Sequence, residues 1–396
     1  TYVFSRVLDD GKLTVHFMHS HHSHSGEFCR HASSTLDQVL ARAYELGFTH
    51  FHLSEHVPRW RDAHLYPEER EAGMTPDSLT SQFQAYLVKA RTLQRMYENM
   101  PRPMHVLVGC ETEHIESPHS LDALARLLES NTQLSSSSPT QLLPPPPCIG
   151  RGLVDYIVGS VHHICGVPID FDRPTYEMAL KSGQHDQKRH LTMLQAYLDA
   201  QFEVMDRLRP EVIGHFDLYR LFEPYASWYP DSSTPDGRAI HAKLKRNIHF
   251  AASYGALFEV NSAAFRKGWT DETYPGRHVL RMITKACGRL ALSDDSHGTK
   301  QVGLNFARLR EYLLNEGISE VWYLTPSKAP ENGPATSVDN IHLNYESAER
   351  ARKTREQSMT PGTGAPTTFL RGTQAHCMED WHKSPFWSTL PQDLLT

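Results

Sequence analysis

What most constrains this chain is an alternation. Seven short apolar runs rich in β-branched and aromatic residues lie between residues 15 and 293: VHFM (15–18), HFHLS (50–54), HVLVG (105–109), VDYIVGSV (154–161), EVIG (211–214), ALFEV (256–260) and RLALS (289–293). Runs of this length and composition read as buried strands. The stretches between them carry helical periodicity. In SSTLDQVLARAYELG, Leu36, Val39, Leu40, Ala43 and Leu46 share one face. Ser33 or Ser34 can cap its start, and Gly47 can end it. LTSQFQAYLVKARTLQRMYENM, KRHLTMLQAYLDAQFEVMDRLR, AIHAKLKRNIHFAASYG and RHVLRMITKACG show a similar period. Strands alternating with helices pair in parallel through right-handed crossovers. Seven such units predict a closed (β/α) barrel more than an open sheet, as one α/β domain over residues 1–325.

Two stretches break the pattern. NTQLSSSSPTQLLPPPPCIG at 131–150 is polar and proline-rich and reads as a disordered surface insertion. A Pro/Gly/Ser-rich C-terminal extension covers 326–396. It holds one charged helix candidate, NYESAERARKTREQSM, and an aromatic end, HCMEDWHKSPFW, expected to pack back onto the body. The net charge of -6 argues against a nucleic-acid footprint, which needs a basic stripe. No run is long and apolar enough to span a bilayer, and no signal-peptide pattern is read at the start. The six cysteines, Cys29, Cys110, Cys148, Cys165, Cys287 and Cys377, show no metal or redox spacing. That predicts reduced thiols and a cytoplasmic setting.

The residues suited to chemistry come immediately after the strands. The first run leads into MHSHHSHSGEFCRH, with His19, His21, His22, His24 and His31. The second gives Glu55 and His56; the third Glu111, Glu113 and His114; the fourth His162 and His163. The fifth gives His215, Asp217 and Arg220; the sixth Asn261 and then Arg266; the seventh Asp294, Asp295 and His297. In (β/α) barrels the C-terminal strand ends converge on one face. A single histidine after a strand is more often a half-buried structural residue. Six such rims loaded together predict a metal site. No cysteine pattern marks the rims, and mixed imidazole and carboxylate ligands suit Zn, Fe or Mn. The candidates exceed the roughly four ligands that one zinc takes, so two or three ions are expected, with a carboxylate bridging a pair.

As a set, HSHSGEFCRH, ELGFTHFHLSEH, GCETEH, DYIVGSVHH, VIGHFDLYRLF, FEVNSAAFRKG and LSDDSH resemble the motifs of the PHP (polymerase and histidinol phosphatase) superfamily. GHFDLYR together with SVHH resembles its monofunctional histidinol-phosphate phosphatase branch. The resemblance runs from about residue 14 to about residue 325. It implies a distorted seven-stranded (β/α) barrel holding three divalent or trivalent metal ions (Zn, Mn or Fe). The implied ligands are His22, His24, His31, His56, Glu111, His162, His215, Asp295 and His297, with Glu111 bridging. One ion would take His22, His24, Glu111 and Asp295; a second Glu111, His162 and His215; a third His31, His56 and His297. His19 and His21 form a rival HxH pair, and on that alternative His22 and His24 would be outer partners of the ligands. Glu111 is preferred to Glu113, and Asp295 to Asp294. Asp295, His297 and Glu111 are the implied catalytic residues, and Arg220 and Arg266 match substrate-pocket arginines.

The resemblance implies a metal-dependent phosphatase that takes L-histidinol phosphate, a small-molecule phosphomonoester, to L-histidinol and phosphate in histidine biosynthesis. The alternatives are a PHP-type phosphoesterase of other substrate range, or a non-enzymatic metal-binding barrel. Storage has no need of two rim arginines. An amidohydrolase would place a lysine after strand four, where this chain has His162. Neither a nucleic-acid nor a membrane partner is expected. Asp217, Glu113 and Phe265 are candidates for reading the imidazole and ammonium of the substrate.

Overall fold

The computed structural model describes residues 17–129, 153–181, 188–327, 367–369, 371–391 and 394. The insertion at 131–150, the helix candidate at 344–359 and the first two residues of VHFM lie outside the described residues.

Seven strands run through the body: β1 (His19–Ser20), β2 (His50–Phe51), β3 (Gly109–Glu111), β4 (Tyr156–Gly159), β5 (Val212–Ile213), β6 (Leu257–Asn261) and β7 (Arg289–Ser293). β3 to β7 form one parallel sheet in sequence order. β1 and β2 make a separate parallel pair. The fold is therefore α/β with a parallel sheet, and the expected closed barrel is not found as a continuous ladder. Isolated parallel bridges lie at the two gaps: His50 to His105, Leu53 to Val108 and His56 to Glu111 on one side, Ser23 to Ser296 on the other. The physical reason lies in the histidines of the first two strands. Backbone donors there are taken by side chains: Leu292 N–H donates to His19 Nε2 (3.0 Å), and Leu107 N–H to His52 Nδ1 (3.1 Å). A donor satisfied by an imidazole does not extend a ladder. The first ladder also begins at His19, beyond the expected 15–18.

The helices follow the apolar periodicity. Leu36–Leu46 buries Leu36, Val39, Leu40, Ala43 and Leu46. Its cap is Thr35, not Ser33 or Ser34, because Thr35 and Gln38 form a reciprocal capping box; Gly47 ends it at φ 94°. Pro76–Glu98, Arg189–Leu208, Pro235–Ser253 and Arg277–Lys285 occupy the other predicted stretches.

A separate apolar cluster joins Leu107, Tyr156, Val158, Val212, Leu257 and Ala291 of the sheet to Trp322 and Leu324. The last two belong to β8 (Glu320–Pro326), which pairs antiparallel with β9 (Thr373–Glu379). The aromatic end packs back as expected: Trp381 and Phe386 are buried, and Phe386 meets Phe48 edge-on at 5.0 Å. Gly109 admits the Tyr156 ring, which would lie 2.3 Å from any Cβ there. The Tyr156 hydroxyl can then donate to the carbonyls of His21 (2.9 Å) and Leu53 (3.1 Å), tying β4 to the first two strands.

Beside β8 sits a set of buried histidines. His19, His21 and His52 are fully buried and His50 is nearly so. Burial, reinforced by His52, pushes His19 down to about 3, and burial pushes His52 down to about 4. Burial and neighbouring imidazoles also lower His21 and His50. Above the unfolded value near 6.5 these groups are neutral in both states, so their contribution to stability is fully present. Below it the unfolded chain binds protons that the fold refuses, and stability is lost by up to ~1.4 kcal/mol per pH unit per histidine. Between about pH 7.5 and about pH 5.5, metal-stripped His50→Gln is expected to lose less Tm on acidification than metal-stripped wild type. Identical slopes by scanning calorimetry would refute a contribution from His50.

Candidate metal centre

Alternation along the strands builds the site. Leu107, Tyr156, Val158, Leu257 and Ala291 face the inner cluster. Counting on in twos along each chain from these residues reaches Glu111, His162, Glu259 and Asp295. The apolar part of each strand thus fills the interior, and its C-terminal end delivers a ligand-type side chain on the same side.

The side chains meet around Glu111. Its Oε1 lies 3.1 Å from His22 Nε2, 3.2 Å from His162 Nε2 and 3.0 Å from His215 Nε2. Its Oε2 lies 3.3 Å from His24 Nε2 and 3.2 Å from His56 Nδ1. Asp295 Oδ1 approaches His22 Nε2 (3.5 Å) and His24 Nε2 (3.6 Å). At the outer edge, the rings of His31, His56 and His297 gather, with His31 to His297 at 5.2 Å and His31 to His56 at 5.3 Å. His31 is the most exposed of them and marks the opening. All nine sequence-predicted ligands belong to small groups whose donor atoms lie within 4.8 Å of one another.

Electrostatics report what this arrangement lacks. Burial opposes charge on every member, yet Glu111, Asp295 and Glu259 lift His22 well above its ordinary value. Burial is likewise outweighed at His24, lifted to about 9 by Glu111 and Glu55. Against burial, His22, His162 and His56 hold Glu111 well below the usual carboxylate range. Buried carboxylates are thus calling for positive charge, which bare imidazoles supply only by binding protons. Two ring nitrogens, His162 Nε2 and His215 Nε2, face each other at 3.2 Å. Buried nitrogens of His22, His24 and His56 have no hydrogen-bond partner. Converging lone pairs beside buried carboxylates fit divalent cations.

Several groups aim these ligands. Glu259 Oε1 sits 2.7 Å from His22 Nδ1, which leaves Nε2 to face Glu111. Glu259 Oε2 accepts the backbone N–H of His215. The Asp295 carbonyl lies 2.9 Å from His297 Nδ1, so Nε2 is the free nitrogen. Glu113 joins His56 Nδ1 (3.0 Å) and His162 Nδ1 (3.2 Å) and accepts from the Tyr66 hydroxyl (2.7 Å). Asp294 accepts from Ser20 Oγ (3.0 Å) and Gly303 N–H (2.7 Å), and burial pushes its carboxyl up to about 6.

Glu259 and Cys29 were missed by sequence reasoning. A glutamate inside the apolar run ALFEV was a readable signal, since a charge inside a buried strand needs a partner. Cys29 Sγ lies 3.1 Å from His31 Nε2, and nothing in its spacing announced it.

His19 and His21 do not enter the centre. Their Nε2 atoms accept the N–H groups of Leu292 and Leu324, both at 3.0 Å. Arg220 commits both of its Nη groups elsewhere, and only its buried Nε has no hydrogen-bond partner. It pairs with Asp217 (2.9 Å) and Glu272, donates to the Pro224 carbonyl (2.6 Å), and stacks on Trp269. It is buried and already neutralised, the reverse of what a phosphate anchor needs. Asp217 Oδ2 accepts from Arg220 and from Gly276 N–H, while its buried Oδ1 has no hydrogen-bond partner. Phe265 lies under the Arg308 guanidinium. Arg266 does reach the rim: its guanidinium donates to the Asp295 carbonyl (3.1 Å) and remains partly exposed.

Comparison with known proteins agrees with this geometry. Residues 20–263 match the family described as PHP domain. The chain is 37% identical over 322 residues to a probable histidinol-phosphatase of Schizosaccharomyces pombe, covering 81% of this chain and 93% of that protein. It is 32% identical over 341 residues to the histidinol-phosphatase of Saccharomyces cerevisiae, covering 80% and 94%. Among solved structures it resembles histidinol phosphate phosphatase from Lactococcus lactis subsp. lactis, complexed with Zn, L-histidinol and phosphate. That match has a TM-score of 0.51 at 18% identity and covers 77% of this chain and 95% of the other.

Proposed function

The chain belongs to the PHP domain family, and on that premise we propose that it is a metal-dependent phosphomonoesterase hydrolysing L-histidinol phosphate to L-histidinol and phosphate in histidine biosynthesis. The observation that carries this reading is the convergence of five imidazoles on the one carboxylate of Glu111. It occurs in a chain that is one third identical to two fungal proteins named for this activity.

Three ions, zinc, manganese or iron, would be held by His22, His24, Glu111 and Asp295, by Glu111, His162 and His215, and by His31, His56 and His297. The groups His22–His24–Asp295, Glu111–His162–His215 and Cys29–His31–His56–His297 support that partition. When bound, such ions activate water near neutral pH and neutralise phosphoryl oxygens. Glu111 would be shared between two of the ions, since histidines of both groups face its carboxylate. Asp295 and His297 lie together on one turn, with Asp295 at φ 47°, and present a carboxylate and a free Nε2 to the same opening. Arg266, beside them, adds a charge-assisted contact to the phosphate. With Nδ1 held by the Asp295 carbonyl, His297 would offer Nε2 to the third ion, so the proton for the leaving alkoxide comes from another group.

The same reading extends to the architecture. The seven strands act as a distorted barrel, supported by the bridges at both gaps. No helix among the described residues is long and apolar enough to cross a membrane. The five described cysteines are free thiols, which supports a cytoplasmic setting.

Steady-state kinetics on zinc-loaded protein test the proposal. Catalytic efficiency on L-histidinol phosphate should exceed that on an aryl phosphate by at least ~100-fold, about 2.7 kcal/mol of transition-state discrimination. Arg266→Ala should lower efficiency on both substrates. Equal efficiencies in the unmodified protein would leave a generic phosphoesterase and remove the histidine-pathway assignment.

A further inference from the structure

Zinc usually takes four donors, and three imidazoles leave one place to fill. Resting on the three-ion centre proposed above, the outer ion has His31, His56 and His297 assigned to it. Every other group of converging donors among the described residues includes a carboxylate, and the outer group does not. It has a thiol instead. Cys29, His31, His56 and His297 each place one donor atom within 4.8 Å of the others.

The geometry fits a shared ion. Cys29 Sγ lies 3.1 Å from His31 Nε2. Tetrahedral zinc, with Zn–S about 2.3 Å and Zn–N about 2.0 Å, spaces its donors roughly 3.3–3.6 Å apart. Glu68 Oε1 meets His31 Nδ1 at 3.1 Å, which leaves Nε2 as the nitrogen turned to Cys29. Glu68 Oε2 has no hydrogen-bond partner, but Glu68 joins no group of converging donors. A second observation comes from His56. Its side chain is only 8% exposed, Nδ1 faces Glu111 and Glu113, and its buried Nε2 has no hydrogen-bond partner.

The chain is built to deliver the thiol. Glu55 Oε1 accepts from Ser25 N–H (2.8 Å) and Ser25 Oγ (2.7 Å), and the Ser25 carbonyl accepts Cys29 N–H (2.9 Å). Glu55 directly precedes His56, so one strand end fixes both donors. Cys29 is thereby buried between exposed neighbours, Glu27 and Arg30.

We propose that Cys29, as a thiolate, is the fourth protein ligand of the outer ion, and that it makes this position prefer zinc. The thiol gives up its proton to solvent as the ion binds. A soft thiolate favours zinc over manganese, whereas the imidazole and carboxylate groups deeper in the centre suit either.

X-ray absorption on the zinc-loaded full chain tests this. One sulfur neighbour at about 2.3 Å is expected, shared over the bound zinc. Cys29→Ser should abolish that signal, and Cys165→Ser should leave it. Cobalt-loaded wild type should show a thiolate-to-metal charge-transfer band that Cys29→Ser lacks. Under excess manganese, wild type should retain about one zinc per chain and Cys29→Ser should lose it. Should Cys29→Ser not fold, a sulfur signal surviving separate serine substitutions of Cys110, Cys148, Cys165, Cys287 and Cys377 makes the same assignment. No sulfur neighbour in zinc-loaded wild type, or one that persists in Cys29→Ser, would overturn the proposal. A Cys29-dependent sulfur signal in protein inactive on L-histidinol phosphate would overturn the function reading and leave this inference standing. Wild-type protein that takes up no metal would overturn both.

Discussion

Glu111→Gln is expected to cost at least about a thousandfold in turnover of L-histidinol phosphate, together with most of the bound metal. The reason is geometric. One carboxylate lies within 3.3 Å of nitrogens from His22, His24, His56, His162 and His215. Those histidines arrive from four different strand ends, so no neighbouring group can take over the role. A glutamine keeps the shape but loses the charge and turns a donor toward nitrogens that need a cation. Exhaustive chelation of the wild type should reproduce the loss, and zinc, manganese or iron should restore it. A stability readout accompanies the kinetic one, because ligands that bind only the folded state raise Tm. Added zinc should raise the wild-type Tm and leave Glu111→Gln nearly unmoved. Full metal content in the variant with turnover within about tenfold of wild type would remove Glu111 from the centre of the mechanism.

That centre was legible in the sequence because it obeys a simple period. A strand that faces a core with its apolar residues presents every second residue to the same side, and four positions on from Leu107, Val158 and Ala291 those residues are Glu111, His162 and Asp295. Ligand chemistry and fold are therefore written in the same letters. The same logic would have found Glu259, the charged residue inside ALFEV, whose carboxylate aims His22 and anchors His215.

The illegible part rests on interactions that have no period. Arg220 comes after a strand end as Arg266 does, and nothing local separates them. Only the fold reveals that Glu272, fifty-two residues away in sequence, claims the Arg220 guanidinium. The continuous barrel ladder was overread for a related reason. The runs around His19 and His52 are apolar enough to be buried, but their imidazoles accept backbone N–H groups that a ladder would have used. Buried histidine is ambiguous in a sequence because one ring serves equally as a ligand or as a backbone acceptor.

The two HxH pairs show that ambiguity at its sharpest, and their variants are expected to separate cleanly. Both pairs alternate identically, yet the β1 ladder stops at Ser20, and the next bridge to a neighbouring segment is at Ser23. Upstream, His19 and His21 lie fully buried against the segments carrying Leu292 and Leu324. Downstream, His22 and His24 meet Glu111 and Asp295. His22→Ala or His24→Ala should remove metal and lower turnover by several orders of magnitude, on the scale of losing an ion that activates water. The Tm of the metal-free protein should fall as well, since each opens a buried cavity and His22→Ala also takes the Glu259 carboxylate's partner away. His19→Ala or His21→Ala should lower Tm without removing metal. Each leaves a buried backbone N–H without its acceptor, at about 1–3 kcal/mol, and opens a cavity besides. Their Tm should fall by several degrees, while metal content and turnover, measured well below that Tm, stay within about tenfold of wild type. Metal analysis, calorimetry and kinetics on the four variants decide the matter. Metal loss in His19→Ala or His21→Ala, with full metal retained in His22→Ala and His24→Ala, would transfer the ligand role to the upstream pair.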